Sequence, residues 1–288
     1  MDMLQEQAWA KLNLSLDVTE RRQDGYHNMA MIMQTVSLKD DIRILPNDSG
    51  RVTARCNLPF IPGDERNLTV KAALRYLKAV DSRQGMLIDA VKHIPVGAGM
   101  GGGSADAAAV LRALNRFFGA PLSLAELEDL ACDVGSDVAF CVAGGTAFAA
   151  GRGELLSPLP SPPPCRFVIC KPEFSISTPE LFRKLDQVSL RRHPDTAGLI
   201  DALEHGDLGK LSRRMYNVFE DVEDRRLRSV SAIKSVLLDY GALGAVMTGT
   251  GSAVFGVFRE DAETDELCSA LRREYGFCES AVAVDRLF

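Results

Sequence analysis

An α+β fold in two parts is what this sequence predicts, from three observations. Apolar, β-prone stretches follow one another near the start, which suggests an antiparallel sheet. The run Ser157-Pro158-Leu159-Pro160-Ser161-Pro162-Pro163-Pro164 then breaks the chain. Such proline density excludes helix and sheet interior, so it reads as a linker or an extended edge. Beyond it, helical patterns accompany a few short strands, as when helices lie on one face of a small sheet. The expected parts are residues 1–156 and 165–288.

The elements follow in order. Ala8 to Val18 alternates Ala10, Leu12, Leu14 and Leu16 against Lys11, Asn13, Ser15 and Asp17, a strand with one apolar and one polar face. After the turn Gln23-Asp24-Gly25, strands are expected at Met29 to Val36, Ile42 to Leu45 and Val52 to Cys56. Asn67 to Val80 places its apolar residues on one helical face, with Asn67 as N-cap. Met86 to Ile94 reads as a strand. Ser104 opens an Ala- and Leu-rich helix, and Leu124 to Cys132 is a helix capped by Ser123. Past the prolines, Phe167 to Lys171 is a strand. Helices are expected at Thr178 to Leu185, Ala197 to Leu203, Leu208 to Tyr216 and Leu227 to Tyr240. Short strands Ala245 to Met247 and Ala253 to Val257 flank a glycine turn, followed by a helix at Asp261 to Tyr275 and a strand at Glu279 to Val284.

Composition narrows the function. Of 288 residues, 46% are hydrophobic and 25% charged, which suits a globular chain with a full core. The net charge of −6 argues against a nucleic-acid binder. The clusters Arg213-Arg214 and Arg225, Arg226 and Arg228 read as solvated helix faces. Seven cysteines without C-x-x-C spacing read as reduced thiols rather than a zinc site or disulfide framework. There is no signal-peptide pattern and no apolar run near the roughly 18 residues a membrane helix needs. A soluble cytoplasmic protein, monomer or homodimer, with no nucleic-acid or membrane partner, is the expectation.

The chemistry gathers at Pro95-Val96-Gly97-Ala98-Gly99-Met100-Gly101-Gly102-Gly103-Ser104-Ala105. A strand leads in and a strong helix leads out. Glycines let the backbone approach a ligand closely, and the free N–H groups of a helix's first turn favour an anion. This combination prescribes a phosphate. A P-loop would need lysine where Gly103 stands. Gly97, Gly99 and Gly102 match G-x-G-x-x-G, but the next element is a second helix rather than the strand with an acidic tip.

The loop instead resembles the phosphate loop of the GHMP kinases, and two further segments agree. Ala10-Lys11-Leu12-Asn13-Leu14 resembles the first motif of that family, and Met247-Thr248-Gly249-Thr250-Gly251-Ser252-Ala253 the third. The resemblance implies an N-terminal domain like domain 2 of ribosomal protein S5 and a ferredoxin-like C-terminal domain, with the active site in the cleft between them. It implies phosphorylation of an alcohol by ATP with Mg²⁺, with Ser104 the nearest candidate to touch the cation and no metal site built from protein alone. Lys11 and Asp137 match the catalytic pair: a carboxylate that takes or orients the alcohol proton, and a lysine that orients it. Asp133 is a rival carboxylate, but its helix-end position favours a structural role. Asp24-Gly25-Tyr26-His27, Gly135-Ser136-Asp137-Val138 and Thr178-Pro179-x-x-Phe182 resemble one branch whose substrate carries a cytidine diphosphate. There Tyr26 and Phe182 would stack on the base, His27 would read its edge, and Asn13, Asp137, Thr178, Thr248 and Gly249 would hold the substrate. Asn67, in Asn67-Leu68-Thr69-Val70-Lys71-Ala72, would touch the nucleotide. Homoserine or mevalonate kinase, or a non-catalytic sensor on the same fold, are the rival readings.

Overall fold

The computed structural model describes residues 3–188, 190 and 192–288. The first sheet is built on two long strands, β1 (Leu4–Arg21) and β2 (His27–Asn47), joined antiparallel through the turn at Asp24 and Gly25. β3 (Val52–Cys56) and β4 (Gly85–Val91) extend it on the far side of β2, giving the order β3-β4-β2-β1. β5 (Thr146–Gly151) also pairs with β2, and β6 (Leu155–Leu159) pairs with β5. The strand pairing along β2 explains why one strand replaces the two expected there. The polar stretch between Val36 and Ile42 stays extended because Lys39 pairs with Trp9 and Asp41 with both Gln7 and Val91.

Helix α1 (Leu68–Ala79) packs against β3 and against α2 (Gly102–Phe117), which itself packs against β1. The alanines of α2 let it come close, and Leu12, Leu14, Val110 and Leu111 are fully buried at that layer. Each such leucine contributes about 1.5–3 kcal/mol. Two short helices, α3 (Leu124–Cys132) and α4 (Val138–Ala143), complete this half. Ser123 caps α3 as its sequence predicts, and the structure adds a reciprocal bond from Glu126. Neither α4 nor β5 was expected. Every residue of α4 is buried, so no polar face marks its period.

The second sheet takes the order β11-β7-β10-β9, from β7 (Cys165–Lys171), β9 (Gly244–Met247), β10 (Val254–Arg259) and β11 (Phe277–Ala281). Helices α5 (Thr178–Leu185), α6 (Thr196–Glu204), α7 (Leu208–Arg214) and α8 (Leu227–Asp239) lie in the chain between β7 and β9, and α9 (Asp265–Tyr275) joins β10 to β11. All pairings are antiparallel, and the outline βαββαβ with that order is the ferredoxin-like arrangement.

The proline run forms an edge: Pro158 sits opposite Ala147 in β6, a position where a missing N–H is tolerated. Two segments cross the division expected between 1–156 and 165–288. β8 (Tyr216–Asn217) pairs parallel with Ser15 and Leu16 of β1. The chain end also returns to the first half, where Val284 N–H donates to Thr35 O of β2 at 2.9 Å and Leu287 N–H to Ala143 O of α4 at 2.8 Å. On the polar face of β1, Lys11 lies against Gly101, Asn13 meets Thr248, and Asp17 pairs with His193. Residues Ala10 to Val18 are consequently buried on both faces, rather than on one as the alternation suggests. Among the described residues no helix is long and apolar enough to cross a membrane.

Candidate active site

β1 carries Lys11 into the interface between the halves, where its side chain is 5% exposed. A buried ammonium must be paired. Lys11 Nζ donates to Asn13 Oδ1 at 2.6 Å and lies 3.4 Å from Asp137 Oδ2. The backbone N–H of Lys11 donates to Met100 O at 3.1 Å, which ties the strand to the glycine loop. Asp137 occupies the N-cap position of α4, yet its side chain makes no capping bond. Its carboxylate turns to Lys11 and stays 30% exposed, so it is not consumed by the turn. Asp133 ends α3 and faces Arg75 at 3.5 Å, the structural role its place suggests.

Two cavities flank the glycine loop. One, of about 580 Å³, is lined by Lys11, Tyr26, His27, Asp137, Thr178, Phe182 and Gly249 among others. The other, of about 400 Å³, is lined by the whole stretch from Pro95 to Ser104, including Gly97, Ala98, Met100, Gly102 and Gly103, together with Asn67, Lys92 and Asp106. Gly99 and Gly101 line both. The cavities thus meet at the loop, beside Lys11 and Asp137.

Gly99 and Gly101 have φ of 79° and 67°, in the region that side chains disfavour. A Cβ at Gly99 would stand 2.1 Å from Thr248 O, and one at Gly101 would stand 3.1 Å from Lys11 Cγ. The loop therefore packs backbone to backbone against the third motif and directly over the lysine. Gly101 precedes α2, so the helix begins at Gly102 rather than Ser104. Ala105 is 1% exposed and its N–H already bonds to Gly101 O at 2.8 Å. The amides left for an anion are those of Gly102, Gly103 and Ser104, at the positive end of a 16-residue helix. Ala105 lies behind the cavity wall and offers no amide.

Beneath this turn Lys92 Nζ meets two carboxylates, Asp40 and Asp106, the latter at 2.5 Å. Asp40 Oδ1 also accepts the N–H of His93 and, at 2.8 Å, that of Ile94. The cluster joins the strand entering the loop to the helix leaving it. Burial pushes the Asp106 carboxyl up to about 7; the pull of Lys92 opposes this and the charge of Asp40 adds to it. Lys92 is raised, because the two carboxylates outweigh its own desolvation.

The other expected residues divide. Asn13 and Thr248 are fully buried and line neither cavity. Thr248 Oγ1 accepts from Asn13 N–H at 3.0 Å and lies 3.2 Å from Gly99 O. These two hold Lys11 and the loop in place instead of facing the cavity. Asn67 uses both ends of its amide: Oδ1 accepts from Thr69 N–H at 3.0 Å, and Nδ2 donates to Pro62 O at 2.9 Å. Ser177 stands at the N-cap position of α5 without a side-chain capping bond, and the Thr178 hydroxyl is 2.8 Å from that of Thr250, which ties α5 to the third motif. Tyr26 and Phe182 both line the larger cavity but do not stack on each other. Phe182 stacks on His27 at 4.8 Å, and Arg152 lies 5.2 Å over the Tyr26 ring.

Several residues escaped the sequence reading. Arg21, Arg152 and Arg183 line the larger cavity as cations. Asn217 Nδ2 donates to Met247 O at 2.7 Å and Gly249 O at 2.8 Å, and Glu220 Oε1 accepts from Met247 N–H at 2.8 Å. Both hold the third motif. A buried Asn inside Tyr216-Asn217-Val218-Phe219 is the only cue the sequence offers for the first, and Glu220 offers none.

The fold and these joined cavities define a small-molecule phosphotransferase. Family models for the GHMP kinases N terminal domain and the GHMP kinases C terminal match residues 67–145 and 199–276. The chain belongs to the GHMP kinase family. It is 43% identical over 284 residues to the 4-diphosphocytidyl-2-C-methyl-D-erythritol kinase of Geobacillus thermodenitrificans, covering 98% of this chain and 96% of that one. The Listeria monocytogenes serotype 4a protein of the same name is 42% identical over 275 residues, with 96% and 93% coverage. A crystal structure of 4-(cytidine 5'-diphospho)-2C-methyl-D-erythritol kinase superposes with a TM-score of 0.80 at 31% identity, covering 97% of this chain and 99% of that chain. Homoserine kinase from Cytophaga hutchinsonii also superposes with a TM-score of 0.80, at 22% identity over 99% and 96%, a likeness of fold alone.

Proposed function

We propose that this chain transfers the γ-phosphoryl group of ATP to the 2-hydroxyl of 4-diphosphocytidyl-2-C-methyl-D-erythritol, a step of the non-mevalonate route to isoprenoid precursors. The observation that carries this reading is the meeting of two cavities at Gly99 and Gly101, beside Lys11 and Asp137. ATP occupies the smaller cavity, with its phosphates on the amides of Gly102, Gly103 and Ser104. The alcohol enters the larger one.

Asp137 accepts a hydrogen bond from the substrate hydroxyl, orients it toward the phosphorus and takes its proton as the bond forms. Lys11 holds the carboxylate from 3.4 Å and offsets negative charge as it grows on the transferred group. Asn13 and Thr248 fix the lysine. Phe182 and Tyr26 offer aromatic surfaces to the pyrimidine, and Arg21, Arg152 and Arg183 suit the diphosphate.

Among the described residues no cluster of three or more His, Cys, Asp or Glu could hold a metal by itself. Mg²⁺ would come bound to the phosphates of ATP, as it keeps few protein ligands. The Ser104 hydroxyl and the unpartnered Asp106 Oδ1, both from residues on the nucleotide cavity, are the hard oxygen donors such a cation takes. A cation held there would offset negative charge on the phosphates.

The test is ADP release by the purified protein with ATP, Mg²⁺ and one alcohol at a time. Turnover is expected with the diphosphocytidyl alcohol and not with homoserine or mevalonate. Phosphorylation of homoserine with no response to the cytidine compound would overturn the assignment.

A further inference from the structure

His27 and Asp186 meet across the cavity from different halves of the chain. His27 opens β2, and Asp186 closes α5. His27 Nε2 lies 2.7 Å from Asp186 Oδ1. A carboxylate only accepts, so the proton of this bond belongs to Nε2. In the neutral ring Nδ1 is then an acceptor. Among the described residues no group bonds to Nδ1, and the residue lines the cavity. The ring plane is fixed as well. It stacks on Phe182 with 25° between planes, and Phe182 is braced edge-on by Phe219 at 4.9 Å.

We propose that Asp186 is a positioning residue that sets which pyrimidine this cavity accepts. It does so by locking His27 in the tautomer whose Nδ1 accepts a hydrogen bond from the 4-amino group of cytosine. The proposal rests on the cytidine reading given above and supplies its specificity. Cytosine and uracil have nearly the same shape and stack alike, so Tyr26 and Phe182 do not separate them. They differ at C4, where cytosine carries an amine donor and uracil a carbonyl acceptor. An acceptor in a fixed plane welcomes the first and leaves the second unpaired. Without Asp186 the ring can place its proton on Nδ1, and the same nitrogen then suits uracil. Arg21 Nη1 stands 3.6 Å from the other oxygen of Asp186 and holds the carboxylate from outside the ring.

Affinities for CDP and UDP measured by calorimetry at about pH 8, above the ordinary histidine range, test this directly. The wild type is expected to prefer CDP about 10- to 100-fold, the discrimination one good base contact provides. Asp186→Ala should bring the two affinities to within about threefold. Asp186→Asn keeps an acceptor oxygen and should keep most of the preference. Nitrogen-15 NMR of the wild type should show His27 protonated on Nε2. The proposal is overturned if Asp186→Ala discriminates as the wild type does, if Asn loses as much preference as Ala, or if the wild-type proton sits on Nδ1. Wild-type binding of neither nucleotide would instead bring down the cytidine reading itself, and the proposal with it.

Discussion

Replacing Gly99 by alanine should separate the glycine loop from the third motif, and the cost follows from two geometric facts. The residue sits at φ 79°, which costs an L-amino acid about 1–2 kcal/mol. The new methyl would also stand 2.1 Å from Thr248 O, whereas carbon–oxygen contacts settle near about 3.3 Å. One backbone must retreat by more than about 1 Å. Overpacking of this kind costs a further ~1–3 kcal/mol. Summed, the loss is about 2–5 kcal/mol, or a Tm lower by roughly 5–15 °C. Thr248 also bonds to the backbone of Asn13, the partner of Lys11, so the displacement reaches the reacting atoms. A misplacement near 1 Å can lower kcat/KM about 100-fold. Gly119→Ala is the control. Its φ is 82°, but a Cβ there meets nothing within 4 Å. It should lose only the ~1–2 kcal/mol of strain and keep its turnover. Thermal melts and steady-state kinetics on both variants decide the matter. If Gly99→Ala matched Gly119→Ala in both, the close packing of loop on loop would have no energetic weight.

Other substitutions test separate parts of the site. Asp137→Ala should reduce kcat by about 10²–10⁴-fold while ATP binding, read by calorimetry, survives; near-normal turnover would remove the carboxylate from the mechanism. Phe182→Ala should raise the KM of the cytidine substrate about 5- to 150-fold and that of ATP much less, and equal effects would count against stacking. Asp106→Asn tests the buried acid under the loop. Its folded value near 7 lies above the ordinary 3.8, so the folded chain keeps a proton the unfolded chain has released. Stability from that group is complete below about pH 4 and fades as pH climbs to about 7. The Tm of Asp106→Asn, relative to the parent, should therefore rise across that window and level off beyond it. A difference that ignores pH would contradict the assignment.

The motifs were legible in the sequence because each is a local prescription. Glycines at a strand-to-helix junction allow a tight turn and close backbone approach whatever surrounds them. Asn67 and Ser123 announce caps because their partners lie two or three residues on. Long-range consequences were not legible. The alternation in Ala8 to Val18 reveals a polar face, but not that the glycine loop and Thr248 would cover Lys11 and Asn13 there. Asn13 and Thr248 carry the chemistry of ligand contacts, and only burial shows that they serve Lys11 and Gly99 instead. Asp186 follows a helix like many aspartates, and its meeting with His27 across 159 positions leaves no trace in local pattern.

The central claim is that one bond-forming line runs from the larger cavity to the smaller, past Gly99. A crystal structure with the diphosphocytidyl alcohol and an unreactive ATP analogue tests it most directly. The acceptor oxygen is expected within about 3–3.5 Å of the γ-phosphorus and hydrogen-bonded to Asp137, with the β-phosphate on the amides of Gly102 to Ser104. A nucleotide bound elsewhere, with those amides turned from its phosphates, would contradict it.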